Sequence, residues 1–457
     1  MAKRTNDLGN DPVPQLLRRL ALPAVTAQVV NALYNIVDRM YLGHMEQDGD
    51  LAITGVGVAF AIIMFISALS ALVGMGGGAR AAIRAGEGRT DLAEEILGNC
   101  TLLSIVISAA VMAVFLPFQR PMLLLMGASS QTIDYAVNYL TIYLCGTVFV
   151  QLSLALNNFI TTQGFSTTSM LTVVIGAVTN IVLDPIFIFG LDMGVRGAAL
   201  ATVLSQAVSA VWVFRFLVGP RTQWHLRWEN LRPEPRVFLP CLALGLSPFI
   251  MQSTESLITV CFNSSLLKYG GDIAVGAMTV LSSIMQFAMM PLQGLTQGAQ
   301  PIISYNYGAR NPERVRRAFR VLLMACVAYS LLLWALVHLI PDLFALMFTS
   351  DQELVDYAAW ALPIYMGATG IFGIQTACQQ TFVALGNAKI SLFLAILRKI
   401  ILLIPLIYIL PNFFADKCFA VFLAEPVADF LAVCTTATMF AIHFRKSMAA
   451  LEEKSAL

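Results

Sequence analysis

Charged residues are scarce in this chain: Asp, Glu, Lys and Arg make up only 12% of its 457 residues. A typical soluble domain carries about 25%. Apolar residues supply 58% of the chain, and the mean hydropathy is +0.75. This composition does not suffice to cover a water-facing surface, so we expect an integral membrane protein. The longest strongly polar stretch, residues 219–236, is too short for a soluble catalytic domain, which needs roughly 50 residues.

The usual motifs of catalysis and metal binding are missing from the sequence. The eight cysteines form no Cys-x-x-Cys spacing, which excludes the common zinc motifs. No Gly-Lys pair occurs, which excludes a P-loop. The four histidines are scattered without the spacing of a metal site or a catalytic triad. We therefore expect a protein that is not an enzyme and has no cofactor, and the net charge of +1 argues against a nucleic acid partner.

Long apolar runs predict the fold class, which is all-α and membrane-spanning. A bilayer core takes about 20 apolar residues per helix, so twelve helices joined by short loops fill this length. The predicted transmembrane helices occupy residues 15–44, 51–79, 96–117, 132–162, 168–190, 194–218, 237–266, 274–305, 317–340, 352–385, 389–411 and 416–444.

The basic residues predict the orientation of these helices. With the spans above, 21 of the 28 Lys and Arg residues fall on one side of the membrane and five on the other, while two lie inside a helix. By the positive-inside rule, the side with the excess is the cytoplasm. We expect both termini to be cytoplasmic in a multi-pass protein of the cell (inner) membrane.

An internal repeat divides the chain into two similar halves. At a constant shift of 222 residues, the matches are Asp134-Tyr135-Ala136 with Asp356-Tyr357-Ala358, Gly86 with Gly308, and Gly164 with Gly386. Six helices per half make both halves enter the membrane from the same side, so they should be related by a pseudo-two-fold axis along the membrane normal.

The repeat also predicts the domain organisation. Residues 1–218 should form an N-terminal six-helix lobe, residues 219–236 a cytoplasmic linker, and residues 237–457 a C-terminal six-helix lobe. Two such bundles enclose a cavity between them, and rocking of one lobe against the other would give alternating access.

Two carboxylates in the N-terminal lobe, Asp38 and Asp184, lie at membrane depth within predicted spans. An ionisable side chain at that depth is costly and usually functional. Asp38, Asp184 and Thr202 are all predicted in the outer half of the membrane, and Asn180 shares a helix face with Asp184. Their hard oxygen atoms suit a proton or a sodium ion, which makes them a candidate cation-coupling site. The alternative is a structural role, with Asp38 held by the neighbouring Arg39.

Charged residues in the C-terminal lobe predict an ion-pair network. Arg398 and Lys399 fall in the middle of the eleventh helix, where a cation needs a partner. Glu425 and Asp429, one turn apart on the twelfth helix, can supply it. We expect one cation to reach the membrane interface and the other to lock the bundle, in preference to a role in substrate binding.

Other polar and adaptable residues are candidates for the cavity and for conformational change. Pro23 removes a backbone hydrogen bond from the helix that carries Asp38. Two interpretations follow: a bend that depends on protonation, or the fixed kink that is common at a proline in a membrane helix. Flexible methionines suit promiscuous pockets, although ordinary packing is the commoner use. The candidate cavity-lining residues are Asn31, Tyr34, Asn157, Glu255 and Met289.

Three segments resemble the multidrug and toxic compound extrusion (MATE) family, and their details are most similar to its MepA-like bacterial branch. They are Asn31-Ala-Leu-Tyr-Asn-Ile-Val-Asp38-Arg-Met-Tyr-Leu-Gly43, Asn180-Ile-Val-Leu-Asp184-Pro185 and Ala424-Glu425-Pro426-Val-Ala-Asp429. The resemblance spans essentially the whole chain. It implies a V-shaped exporter of two six-helix lobes that exchanges amphipathic, often cationic drugs for protons or sodium ions.

The resemblance also implies residue roles. By matching position, the family's N-lobe cation site would be Asp38, Asn180, Asp184 and Thr202, with Tyr34 and Asn157 nearby and Pro23 as the bend of the first helix. NorM-type members add a C-lobe site that uses a Glu matching Glu255 and an Asp on the tenth helix. Residues 357–388 contain no acidic residue, so a NorM-type C-lobe sodium site is not expected here.

These observations predict a monomeric secondary-active multidrug efflux antiporter that exchanges small amphipathic or cationic compounds for H⁺ or Na⁺ across the lipid bilayer. A lipid or lipid-linked oligosaccharide flippase of the same superfamily is the alternative; it would need a cationic cavity, which Arg398 and Lys399 alone could provide. A channel or a membrane-embedded enzyme is disfavoured, because the chain has no filter-like repeat and no catalytic constellation.

Overall fold

The structure, a computed structural model, describes residues 6–45 and 49–456, and within them it consists of helices and connecting turns without β-strands. The all-α prediction is therefore confirmed. The elements are α1 (Val13–Gly43), α2 (Gly49–Gly86), α3 (Thr90–Leu125), α4 (Ile133–Cys145 and Thr147–Thr162), α5 (Ser166–Pro185, continued by a π-helical turn Ile186–Gly190), α6 (Gly194–Val218), α7 (235–270), α8 (272–308), α9 (Pro312–Leu339), α10 (Gln352–Tyr365 and Thr369–Ala384), α11 (Ala388–Ile396, Leu397–Leu403, Ile404–Ile409 and Leu410–Asn412) and α12 (Lys417–Ala456).

Nine helices in the described residues are long and apolar enough to cross a bilayer, and two bent helix pairs raise this number to eleven. One of the nine extends from Pro235 to Gly308, with 74 residues. At 1.5 Å per residue a straight helix of that size would be about 110 Å long, more than three times the bilayer core. The run is broken at Gly271, whose φ of 68° and ψ of −160° are not helical. Counting α7 and α8 as two spans gives the predicted twelve.

Three of the sequence-based boundaries are wrong in detail. We expected a loop between residues 266 and 274, but α7 and α8 meet at Gly271 alone. The fourth and tenth helices were predicted to be continuous, but α4 bends by 59° after Cys145 and α10 bends by 52° after Tyr365. Hydropathy is equally high on both sides of each bend, so it gave no sign of the breaks.

The two halves of the chain, α1–α6 and α7–α12, share local features that follow the internal repeat. The bends in α4 and α10 lie at corresponding positions. Gly164, after α4, has a φ of 88°, and its counterpart Gly386, after α10, has a φ of 76°. Residues with a Cβ rarely adopt this left-handed conformation, so both turns require glycine. These halves are called the N-lobe and the C-lobe below.

Close contacts between α2 and α8 join the two lobes. A Cβ built at Gly86 would lie 2.9 Å from the backbone nitrogen of Ala309, and one built at Gly308 would lie 3.1 Å from that of Glu87. The repeat shift of 222 residues exchanges these two contacts, as a two-fold axis between α2 and α8 requires. Small residues let helix backbones approach in this way, and the repeat preserves them on both sides.

Further glycine contacts extend this lobe interface along α1 and α7. Gly245 of α7 lies against the backbone of Leu72 in α2, and Gly298 of α8 lies against Ala21 in α1. All of these positions belong to the halves of the helices nearer the start of α1 and the end of α12, a face of the bundle that we call the terminal side. The lobes are therefore in backbone contact on the terminal side.

The face of α7 that carries Gly245 is exposed further along the helix, away from the terminal side. Gln252, Glu255 and Thr259 follow Gly245 at spacings of seven, ten and fourteen residues, which keeps them on one helical stripe. Gly245 is buried against Leu72 of α2, whereas these three polar side chains are exposed. Polar residues at this depth avoid lipid and line watery spaces. The last ring contact on this stripe joins Phe249 to Phe65 of α2, with centroids 5.8 Å apart. The lobes thus diverge beyond Phe249, and the polar stripe faces the gap between them.

The N-terminal segment 6–11 bridges the lobes on the terminal side. Asn6 donates to the carbonyl of Gly164 in the N-lobe at 3.0 Å. On the C-lobe, Arg314 donates to the carbonyls of Leu8 at 3.1 Å and Asp11 at 2.8 Å. Leu8 is 5% exposed. The segment therefore covers the lobe interface on the terminal side.

A tight turn shapes this segment. The carboxylate of Asp7 accepts hydrogen bonds from the Asn10 side chain at 2.9 Å and from the backbone nitrogen of Gly9 at 2.9 Å. The hydrogen bond from the Asn10 side chain is the main reason that the pKa of Asp7 lies below its ordinary value.

The segment between α6 and α7 is anchored to the N-lobe. The side-chain oxygen of Gln163 accepts hydrogen bonds from the Thr222 hydroxyl at 2.8 Å and from the Trp224 backbone at 3.2 Å. Glu94 forms an ion pair with Arg227 at 2.8 Å. Trp224 is only 1% exposed. The connection between the lobes therefore moves with the N-lobe.

We predict that Gly76→Ala destabilises the protein. Gly76 lies in α2, and a Cβ there would come within 2.6 Å of the backbone nitrogen of Gly245 in α7, so the lobes must separate. Overpacking of this kind costs about 1–3 kcal/mol. The apparent Tm in detergent should fall, whereas Gly57→Ala in the same helix, where nothing lies within 4 Å, should leave it equal or higher. Equal Tm values for the two variants would contradict a tight lobe interface.

We predict that Arg314→Ala loosens the N-terminal segment 6–11. The substitution removes charged donors from the carbonyls of Leu8 and Asp11. Each such bond contributes about 1.5–3 kcal/mol, so amide hydrogen exchange in residues 6–11 should accelerate about tenfold or more. Mass spectrometry of the exchanged peptides measures this. The control is Arg317→Ala, an exposed charge on the same helix; a similar acceleration in both variants would mean that the bonds to Arg314 do not hold the segment.

Candidate functional site

A buried carboxylate ends α5. Asp184 and Asn180 are both completely buried and lie one helical turn apart. Pro185 follows, and the chain continues as a π-helical turn, Ile186–Gly190. Proline removes one backbone donor, and π-helical turns often occur at functional sites. The sequence therefore interrupts α5 beside the one acidic residue of this helix.

Asn180 links this carboxylate to α6. With the amide oriented to satisfy both of its ends, Asn180 donates to Asp184 Oδ2 at 3.0 Å and accepts from the backbone nitrogen of Thr202 at 3.3 Å. Thr202 is 5% exposed, and its hydroxyl bonds the carbonyl of Ala198 at 3.0 Å. The structure thus brings together three of the four residues expected in the cation site.

Asp38, the fourth residue, approaches from α1. Its carboxyl group lies beside that of Asp184, close enough for the two acids to interact electrostatically. Its Oδ1 atom is buried and has no hydrogen-bond donor from the protein. Two carboxyl groups in contact require a proton or another cation between them, because two adjacent negative charges repel strongly in a low-dielectric site.

Two tyrosines, Tyr34 and Tyr139, interact with the pair of acids, and a third stacks on Tyr139. Tyr34, one turn before Asp38, interacts electrostatically with both carboxyl groups. Tyr139 and Tyr143 of α4 stack with ring centroids 6.3 Å apart, and the Tyr139 hydroxyl lies 3.5 Å from that of Thr202. Sequence reasoning did not assign Tyr139 or Tyr143 to the site. Two tyrosines at helical i, i+4 spacing in an apolar run were the available signal.

The oxygen atoms of this site match a small hard cation. Carboxylate, amide and hydroxyl oxygens are the ligands that such ions prefer. The unsatisfied Oδ1 of Asp38 is the natural position for a proton or an ion ligand. No group of three or more His, Cys, Asp or Glu side chains able to hold a metal ion occurs within residues 6–45 and 49–456.

A second charged cluster lies inside the C-lobe. The Arg398 side chain, 7% exposed, contacts Asp429 at 2.6 Å and Glu425 at 3.2 Å. Its guanidinium also lies 4.5 Å from the ring centre of Phe372. The structure therefore places Arg398 between the two carboxylates named from the sequence, and stacking on Phe372 fixes its plane.

Lys399 has a different partner from the one expected. Its ammonium group lies 2.7 Å from Glu255 Oε1 on α7, and its side chain is 6% exposed. The expectation that one of the two cations reaches the membrane interface is wrong. Arg398 and Lys399 lie in the π-helical turn Leu397–Leu403, where the wider spiral lets two consecutive side chains point into the bundle.

The remaining candidate residues have varied surroundings. Asn31 is exposed and Pro23 is half-buried within the continuous helix α1. Asn157 donates to the carbonyl of Ser169 at 3.3 Å, while its side-chain oxygen is buried without a partner. Met289 packs against two clusters of buried apolar residues, one within the C-lobe and one that includes the first half of α1. Their roles in the cavity stay predictions.

Comparison with known proteins identifies the family. The MatE family model matches residues 23–186 and 248–409, one segment in each lobe. The multidrug export protein MepA of Staphylococcus aureus is 24% identical over 434 residues, which is 94% of both chains. MepA of Staphylococcus haemolyticus is 23% identical over 91% of this chain and 92% of its own.

Solved structures share the fold. The MATE multidrug transporter DinF-BH, solved as a complex, has a TM-score of 0.88 and 35% identity, with 96% of this chain and 98% of that chain covered. An outward-facing multidrug resistance MATE transporter of the MOP superfamily has a TM-score of 0.89 at 24% identity, with 98% and 99% covered. The family model matches both lobes, and the fold agrees over 96% of the chain. This protein therefore belongs to the MATE family of membrane transporters and is MepA-like.

Proposed function

We propose that this protein is a secondary-active antiporter that exports amphipathic organic cations from the cell in exchange for H⁺ or Na⁺. The observation that carries the coupling part is the contact between Asp38 and Asp184 in the N-lobe. The pair needs a cation between its carboxyl groups, and the Oδ1 atom of Asp38 accepts no hydrogen bond from the protein. A cation from solution can bind and leave there, as transport coupling requires.

The comparisons support the substrate class. The Staphylococcus relatives are named multidrug export proteins. The relative with 35% identity is described as a multidrug transporter. The exposed Glu255 gives the gap between the lobes a negative group that suits an organic cation.

Paired charges in the C-lobe count against a lipid-phosphate flippase. Among the residues whose burial the structure describes, Arg398 and Lys399 are the buried cations that would have to bind a phosphate group. Both already contact carboxylates, at 2.6 Å and 2.7 Å respectively. Their three carboxylate partners outnumber them, so this part of the cavity wall does not attract anions.

The lobe contacts support alternating access. We infer that the terminal side is cytoplasmic, from the distribution of basic residues, and that the present state is closed there and open to the outside. The backbone contacts at Gly86 and Gly308 must separate to open the cytoplasmic side. A coupling ion drives this motion only if its affinity differs between the two states.

Reconstitution in liposomes tests the proposed function. We expect efflux of a fluorescent lipophilic cation when a proton gradient or a sodium gradient is imposed alone, and no net movement without a gradient. A difference between the two gradients identifies the coupling ion. Cation flux that is independent of both gradients would indicate a channel, and no flux in a folded preparation would favour the flippase.

We predict that Asp184→Asn abolishes gradient-driven efflux and preserves the fold. The amide keeps the shape and the hydrogen bond to Asn180 but removes the negative charge that binds the ion. The rate should fall by about 100-fold or more, while Tm and expression remain near wild type. Asp134→Asn is the matched control, because this exposed Asp of α4 is paired with Arg120. Wild-type efflux by Asp184→Asn would refute the assignment of the coupling site.

A further inference from the structure

The ion pair between Lys399 and Glu255 connects the interior of the C-lobe with the gap between the lobes. The two side chains are 2.7 Å apart, but that of Lys399 is 6% exposed and that of Glu255 is 61% exposed. The cation is thus enclosed by protein while its carboxylate partner remains open to the gap. A ligand in the gap can reach Glu255 directly, on the side away from Lys399.

The surrounding cluster has one carboxylate more than it has cations. Arg398 contacts both Asp429 and Glu425, and Lys399 contacts Glu255. When all five groups are ionised, three negative charges face two positive charges. Arg398 balances only one of its two carboxylates, so one charge of the Glu425–Asp429 pair remains for another cation.

Lys399 can balance that remaining charge. Its ammonium group interacts electrostatically with Glu425 as well as forming the close pair with Glu255. A lysine carries its charge on a flexible four-carbon stem, unlike the rigid guanidinium of Arg398. Lys399 therefore has two alternative carboxylate partners, one facing the gap and one inside the lobe.

We propose that Lys399 is a tethered competitor that sets the selectivity of the C-lobe for organic cations. A cationic substrate binds Glu255 by displacing the ammonium group, which moves to Glu425. Every carboxylate then keeps a positive partner, so displacement leaves no unpaired buried charge. A neutral compound cannot replace the positive charge of Lys399 beside Glu255, so the ion pair stays intact.

This assignment rests on the proposed function, because it requires that organic cations enter the gap between the lobes. It extends that function by naming a residue that determines specificity without contacting the coupling site in the N-lobe. The competition also implies that substrates with a localised, accessible charge displace Lys399 more readily than those with a shielded charge.

We predict that Lys399→Met increases the affinity for a permanent cation. Removing the competitor leaves Glu255 free, so tetraphenylphosphonium should bind about tenfold more tightly to protein in nanodiscs, without any ion gradient. Calorimetric titration measures the Kd. The neutral triphenylphosphine oxide should bind equally to both proteins. The double variant Glu255→Gln with Lys399→Met should lose the gain, because the carboxylate is absent.

Lys268→Met is the matched control for general electrostatics, since it removes one positive charge near the far end of α7, about 20 Å from Glu255 along the helix. Its Kd should equal that of wild type. If Lys399→Met fails to fold, Lys399→Gln keeps a hydrogen-bond donor without the charge and should show the same tightening.

The outcomes separate this inference from the proposed function. If the wild type binds tetraphenylphosphonium and the folded Lys399 variants bind it no more tightly, the tethered competitor is refuted and the export function stands. An equal gain for the neutral compound would show that the variant only enlarged the pocket, which also refutes it. If the wild type does not bind tetraphenylphosphonium, both the tethered competitor and the export of organic cations are contradicted.

Discussion

The need to neutralise charge inside a bilayer governs this structure. A carboxylate or an ammonium group at that depth is stable only with a partner, and each lobe meets this requirement in its own way. In the N-lobe, Asp38 and Asp184 lie beside each other, and the buried Oδ1 of Asp38 has no hydrogen-bond partner in the protein, which is why we propose a cation from solution there. In the C-lobe, Arg398 and Lys399 supply the cations from within.

The two lobes are similar in backbone and different in chemistry. The repeat preserves the glycines of the lobe interface, the bends in α4 and α10, and the left-handed turns at Gly164 and Gly386. These are the features that determine how helices pack. The buried charges do not follow the repeat. Duplication therefore provided a symmetric frame, within which the interior of each lobe acquired different charged groups.

Sequence reasoning predicted most of the fold because each span is a local property of about twenty residues. It also predicted the grouping of Asn180 with Asp184, since i, i+4 spacing determines contacts within one helix. It missed the pair between Lys399 and Glu255, which joins two helices 144 residues apart in the chain. It also missed Tyr139 and Tyr143. Helical rotation and tilt decide such contacts, and hydropathy is insensitive to both.

The separation of the two acidic sites between lobes has a kinetic consequence. A coupling ion at Asp38 and Asp184 and an organic cation at Glu255 would have no ligand atom in common. Purely competitive inhibition arises when two ligands bind the same protein atoms. Here each cation can influence the other only by changing how the two bundles meet at Gly86 and Gly308. Without a gradient, excess coupling ion should therefore change equilibrium drug binding in a mixed rather than a purely competitive way, because a ternary complex with both cations can form.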